Sequence, residues 1–159
     1  MRWKWWLFLL MLPGGLLAQT PQKGELVLAY GAFDLRKNTI ADARLEYRFG
    51  QRLLVFQPIV GVLATSDGSR YGYAGFNYAV PLNNVLSVSL NLAAGAYGKG
   101  PSKELGGVLE FRSGIELVLF LTSKIQLSWS FHHLSNASLY DYNPGVETLM
   151  YSLHFRDVF

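Results

Sequence analysis

The chain has 159 residues, a net charge of +3 and no cysteine, so disulfides, thiolate metal sites and lipoprotein acylation are excluded at once. Two of its cations, Arg2 and Lys4, lie in the first four residues, and removing them takes the formal charge to +1, which gives no reason to expect a nucleic-acid partner. Half of the residues are hydrophobic, a high share for an exported soluble domain, so the question is where the apolar surface goes.

Residues 1–18 carry Arg2 and Lys4, the apolar run Trp5 to Leu12, then Pro13, Gly14, Gly15 and the small Ala18. This order of charged, apolar and small residues is that of a secretory signal peptide cut near Ala18. The alternative, a membrane helix, needs about 20 apolar residues and the run is shorter than that. The exported chain is then 19–159, one domain in size.

After it, alternation takes over. In Ala41 to Phe49 one face reads Ala41, Ala43, Leu45, Tyr47, Phe49 and the other Asp42, Arg44, Glu46, Arg48. The same period recurs at Leu86, Val88, Leu90, Leu92, Ala94 and at Leu109, Phe111, Ser113, Ile115, Leu117, the latter backed by Glu110, Arg112 and Glu116. A period of two is a strand signal. Eight strands are expected: Gly24 to Asp34, Ile40 to Phe49, Leu53 to Ala64, Arg70 to Val80, Val85 to Tyr97, Gly107 to Phe120, Lys124 to Leu134, and Val146 to Phe155. In the fourth, Tyr71, Tyr73, Phe76 and Tyr78 leave the inward face ambiguous.

A soluble barrel or sandwich would bury the oily faces. Here the opposite faces hold charge sets of mixed sign, which can pair with one another inside a closed barrel, so the oily stripes face lipid. This is the pattern of an eight-stranded antiparallel transmembrane β-barrel of the bacterial outer membrane. Gly50 to Arg52, Pro81 to Asn84 and Leu121 to Ser123 read as short periplasmic turns; Leu35 to Thr39, Ser66 to Ser69, Gly98 to Gly106 and Ser135 to Gly145 read as the outer links. The chain ends at Phe159 behind Tyr151, Leu153 and Phe155, which resembles the aromatic assembly signal of such barrels, with Asp157 as a departure.

With both termini in the periplasm, the link between the last two strands lies outside the cell. Stepping back by two from Ser135 gives His133, Phe131, Trp129, Leu127 and Ile125; stepping forward from Glu147 gives Leu149, Tyr151, Leu153 and Phe155. Ser135, His133 and Glu147 therefore continue the greasy stripes of two neighbouring strands toward the outer leaflet. Residues two apart on a strand stand about 6.6 Å apart and the next strand about 4.8 Å away. In triad logic His133 takes the Ser135 proton, Glu147 holds the imidazole tautomer and Ser135 attacks an ester carbonyl. The backbone or side chain of Asn136 and Asn143 and the Gly145 amide are nearby candidates for the oxyanion donors. His132 and His154 face inward, and the three histidines do not converge on a metal site.

His133-Leu134-Ser135-Asn136-Ala137, Asn143-Pro144-Gly145 and Glu147 twelve residues after the serine resemble the outer-membrane lipid A 3-O-deacylases. That resemblance implies Ser135 as nucleophile, His133 as base and Glu147 as orienting acid, acting on the ester-linked hydroxyacyl chain of lipid A, with no metal or cofactor. It implies lipopolysaccharide and outer-membrane lipids as partners, and it leaves a homodimer open.

Arg36, Lys37, Arg70, Lys99 and Lys103 in the outer links are candidates to meet glycolipid phosphates. Three alternatives stay on the table. A structural or adhesive barrel would use the same strands, and a phospholipid esterase the same triad; a pore fits poorly, because side chains fill an eight-stranded interior.

Overall fold

A computed structural model describes residues 23–101 and 103–159, which leaves the expected signal peptide outside the described residues. Eight strands follow in chain order: β1 Gly24–Phe33, β2 Ile40–Arg48, β3 Gln57–Thr65, β4 Arg70–Pro81, β5 Leu86–Gly98, β6 Leu109–Phe120, β7 Ile125–Ser135 and β8 Val146–Val158. Each pairs antiparallel with the next, and β8 closes on β1, so the sheet is a closed barrel. Closure satisfies the backbone donors and acceptors of every strand without water, which a lipid-facing sheet requires.

Parity sorts the side chains. Asp42, Arg44, Glu46, Arg48, Glu110, Arg112 and Glu116 are buried in the lumen, while Leu45, Leu90, Leu92, Ile115, Leu117, Trp129 and Tyr151 are exposed on the outer wall. Glu46, Arg48, Arg112 and Glu116 form one net with Glu25. Arg48 reaches Glu46 and Glu116, each at 2.8 Å, and Glu25 at 3.7 Å; Arg112 holds Glu46 at 2.9 Å and lies 4.0 Å over the Tyr73 ring.

The fourth strand resolves by the same rule. Tyr71 and Tyr73 point inward, where their hydroxyls donate to the Glu110 carbonyl at 2.9 Å and to Glu46 Oε2 at 2.7 Å; Phe76 and Tyr78 point outward. An inward tyrosine is tolerated because its hydroxyl finds an acceptor. Room for Tyr73 comes from Gly61 on β3, where a Cβ would stand 2.4 Å from the tyrosine oxygen.

Two expectations change at the ends of strands. Leu53 to Phe56 belongs not to β3 but to a small turn in which Leu53 and Phe56 exchange backbone hydrogen bonds, and all four residues are exposed. The β2–β3 link is therefore residues 49–56, longer than the turn read from Gly50 to Arg52, whereas the β3–β4 link at the opposite rim is only residues 66–69. An apolar run reads as strand by composition; here Phe56 packs on Phe76 and Tyr78 from outside the barrel wall. At the other end of the chain β8 runs on to Val158, past the expected end at Phe155.

The rim away from the chain termini is stoppered. Phe33, Leu63, Tyr71, Tyr97, Leu105, Leu134 and Val146 form an apolar cluster there, with Leu105 supplied by the β5–β6 link. Below it the lumen is polar and opens toward the terminal rim as a cavity of about 180 Å³ lined by Glu25, Arg48, Asn77, Ser87, Ser89 and Gln126 among others.

Candidate functional site

The antiparallel register of β7 and β8 sets His133 directly opposite Glu147 and Leu134 opposite Val146. On β7 the side chains at 126, 128, 130, 132 and 134 are buried and those at 125, 129 and 131 exposed, so His133 and Ser135 belong to the outward row. Glu147 shares that outward parity with Leu149 and Tyr151 but is itself buried, because it is covered by partners from other elements.

Those partners are specific. His133 Nδ1 lies 3.3 Å from Glu147 Oε1, and Arg36 Nε from the β1–β2 link lies 3.1 Å from Glu147 Oε2. With Nδ1 toward the carboxylate, the Nε2 lone pair is the one left for a hydroxyl, the tautomer that a general base requires. Ser135 sits next along the same row, opposite Phe111 of β6. The structure brings His133 and Glu147 together; it records no hydrogen bond between Ser135 and His133 among the described residues. Such bonds commonly tighten only when substrate is present.

The link that follows β7 is tightly built. Leu139 N–H donates to the Asn136 carbonyl at 3.0 Å around Ala137 and Ser138, whose φ values are 53° and 62°. That is a mirror-image turn made without glycine, and non-glycine residues adopt it at a steric cost. The Asn136 backbone N–H donates to Asn143 Oδ1 at 3.1 Å, and its side-chain Nδ2 donates to the carbonyls of Leu105 and Tyr142, both at 2.8 Å. Asn136, expected near the oxyanion, thus has its donors occupied in tying the β7–β8 link to the β5–β6 link. Asn143 is held in turn by Ser138, with Nδ2 and Oγ 3.4 Å apart.

Gly145 closes the link with φ of 61°. A Cβ there would lie 2.7 Å from His133 Cε1 and 3.2 Å from His133 Nε2, so the bare backbone of this residue borders the Cε1–Nε2 edge of the imidazole. Of the three oxyanion candidates, Gly145 is the one whose backbone stands beside the His133 imidazole.

The cations expected to meet phosphate are largely paired inside the protein. Arg36 is on Glu147, Lys99 is 2.6 Å from Glu104, and the nearly buried Lys103 is 3.2 Å from the buried Asp34. The Lys99 hydrogen bond holds the Glu104 carboxyl below its ordinary range. These pairs could be found only once the links were folded over the rim, since no local spacing joins residue 34 to 103 or 36 to 147.

A second Ser, His and Glu grouping lies in the lumen. Ser128 Oγ is 2.7 Å from Glu116 Oε1 and 2.8 Å from His154 Nε2, and His154 Nδ1 is 2.6 Å from Glu25 Oε1. Here the imidazole stands between two carboxylates, Glu25 on Nδ1 and Glu116 at 3.3 Å from Nε2, and the Ser128 hydroxyl donates to Glu116. All of Ser128, His154 and Glu116 are buried in the ion net around Arg48. This grouping is part of the lumen packing, as the inward parity of His154 implied. His132 is likewise buried, against Arg44.

Comparison with known proteins gives a consistent result. The family model described as "Lipid A 3-O-deacylase (PagL)" matches residues 83–156, which span β5 to β8 and include Ser135, His133 and Glu147. Among solved structures, the outer membrane enzyme PagL is similar at TM-score 0.60 and 18% identity, covering 82% of this chain and 98% of its own. A de novo designed transmembrane β-barrel is similar at TM-score 0.65 and 8% identity, covering 87% and 98%. Neisserial surface protein A is similar at TM-score 0.51 and 11% identity, covering 84% and 95%. At these identities the structures speak for the barrel alone. No curated protein sequence matches the chain.

Proposed function

We propose that this chain, which resembles the lipid A 3-O-deacylase family over residues 83–156, is a carboxylic ester hydrolase that removes the 3-O-acyl chain of lipid A at the outer leaflet of the outer membrane. The observation that carries the reading is the His133–Glu147 pair at 3.3 Å on the lipid-facing wall, with Ser135 next in the same row.

In the proposed reaction the Ser135 hydroxyl attacks the ester carbonyl while His133 Nε2 accepts its proton. Glu147 stabilises the imidazolium through Nδ1. The tetrahedral oxyanion is met by backbone or side-chain N–H groups of the β7–β8 link, with Gly145 favoured by its position and Asn143 second. Collapse expels the sugar hydroxyl, which takes the proton back from His133, and leaves an acyl-serine. Water then repeats the sequence and releases the free hydroxy fatty acid. Metal chemistry has no part in these steps, and the residues supply the base, the nucleophile and the donors themselves.

Position argues for a substrate drawn from the membrane. An ester at the glycolipid headgroup boundary would meet Ser135 and His133 at the end of the apolar rows formed by Phe131, Trp129, Leu149 and Tyr151. A soluble ester would have no reason to approach that wall.

Expression of the chain in a host with intact lipid A, followed by mass analysis of the extracted lipid, tests the proposal. One hydroxyacyl chain should be lost with the native sequence and retained with Ser135→Ala. Identical lipid A in both would end the lipid A reading, and fatty acid release from phospholipid alone would assign the same serine to a phospholipid esterase. A structural or adhesive barrel would release nothing from either.

A further inference from the structure

The Glu147 carboxylate has two oxygens, and only one of them faces His133. The other is held from a different element. Arg36 Nε stands 3.1 Å from Glu147 Oε2, and the N–H of the preceding residue, Leu35, donates to the Glu147 backbone carbonyl at 3.4 Å. One residue earlier, Asp34 is fixed by Lys103 of the β5–β6 link at 3.2 Å in a nearly buried ion pair, and its own carbonyl accepts from the Thr39 hydroxyl at 3.2 Å. Asp34, with φ of 59°, turns the chain at the top of β1, where Phe33 is registered against Thr148 of β8.

We propose that the run Asp34-Leu35-Arg36 is a clamp on the triad acid, and that Arg36 is a positioning residue for Glu147. The inference rests on Glu147 being the acid that orients His133. A carboxylate at a lipid-facing rim with one partner can rotate about its last bond and present either oxygen, or none, to the imidazole. A guanidinium on Oε2 removes that freedom and leaves Oε1 for Nδ1. Arginine suits the task because it stays charged at every working pH and its fork fixes direction as well as distance.

The rival role for Arg36 is direct contact with a substrate phosphate, and kinetics separate the two. Full-length barrel in detergent micelles is assayed on lipid A and on a neutral, phosphate-free p-nitrophenyl acyl ester, under single-turnover conditions for the weakest variants. Arg36→Gln should lower kcat about 10- to 100-fold on both substrates with KM for the neutral ester little changed, the size expected when a reacting group is misplaced by about 1 Å. Arg36→Lys should recover part of the loss. In a Glu147→Ala background, Arg36→Gln should have no further effect, because the residue it positions is gone.

A rise in KM for lipid A alone, or two losses that multiply in the double variant, would overturn the clamp. The underlying reading fails separately: Glu147→Ala at full turnover would remove Glu147 from the triad, whatever Arg36 does. Arg36 is largely exposed, and heat-modifiable migration of each variant on a gel checks that the barrel has formed.

Discussion

Ser135, His133 and Glu147 differ in how much turnover each should carry. Replacing Ser135 or His133 with alanine should cut turnover by roughly 10⁵ to 10⁶, and replacing Glu147 by about 10⁴, since triad members act as a unit and the acid contributes least. Release of hydroxy fatty acid from purified lipid A measures this, and equal losses from all three would argue that Glu147 is needed for folding of the rim instead. Gly145→Ala makes a sharper test of the imidazole's surroundings. Its φ of 61° costs a side chain about 1–2 kcal/mol, and the new methyl must displace His133 from 2.7 Å. A fall in kcat of about 100-fold with an intact barrel is expected. Native turnover in Gly145→Ala would show that the imidazole is not held where the structure has it. The shared outward face of these residues was legible in the sequence because parity alone fixes the face of a strand residue, and His133, Ser135 and Glu147 sit on strand ends. Arg36 and Asp34 were not, because their partners lie more than sixty residues away across two links, and only barrel closure brings them together.

At the scale of elements, the β5–β6 and β7–β8 links behave as one cap. Asn136 is the rivet: its buried amide donates to the carbonyls of Leu105 and Tyr142, and Gly106 lies so close to Tyr142 that a Cβ would be 1.7 Å from its carbonyl oxygen. In the sequence Asn136 read as an oxyanion candidate because asparagine supplies donors; in the folded chain its side-chain amide donates to two backbone carbonyls. Asn136→Ala should cost about 1–3 kcal/mol by stranding those carbonyls. The loss should appear locally, as faster amide exchange at the Asn143 and Leu139 ends of the link, together with reduced turnover, while the strands below keep their protection. Protection unchanged in the link would mean that Asn136 does not join the two. Strand boundaries show a related limit. Leu53 to Phe56 has strand composition, yet the bonds that define β3 begin at Gln57, because Leu54 takes a φ of 59° and reverses the chain. Composition marks apolar surface; it does not say whether that surface continues a ladder.

For the whole molecule the question is what the filled lumen does, since the outer wall is held by lipid and the backbone by closure. Arg48 is the hub. It faces Glu46, Glu116 and Glu25, so Arg48→Ala would leave carboxylates buried without their cation, a loss of about 3–5 kcal/mol by the usual cost of breaking a buried pair. The folded, heat-modifiable form should then unfold at markedly lower temperature or denaturant, with the native midpoint restored in part when Glu46 is also made Gln. No such recovery would mean that Arg48 acts through packing. The same substitution should leave the barrel closed to ions. The hub sits on the terminal side of the lumen, beside the cavity that Glu25 and Gln126 line, whereas the far rim is stoppered by Phe33, Leu63, Leu105, Leu134 and Val146. Emptying space below an apolar stopper cannot connect the two sides. Planar bilayer recordings should therefore show no added conductance for either the native barrel or Arg48→Ala, whereas Leu105→Asp, which wets the stopper itself, should leak; steady conductance from the native chain would mean that the lumen is a pore, and a site on the wall would no longer account for the fold.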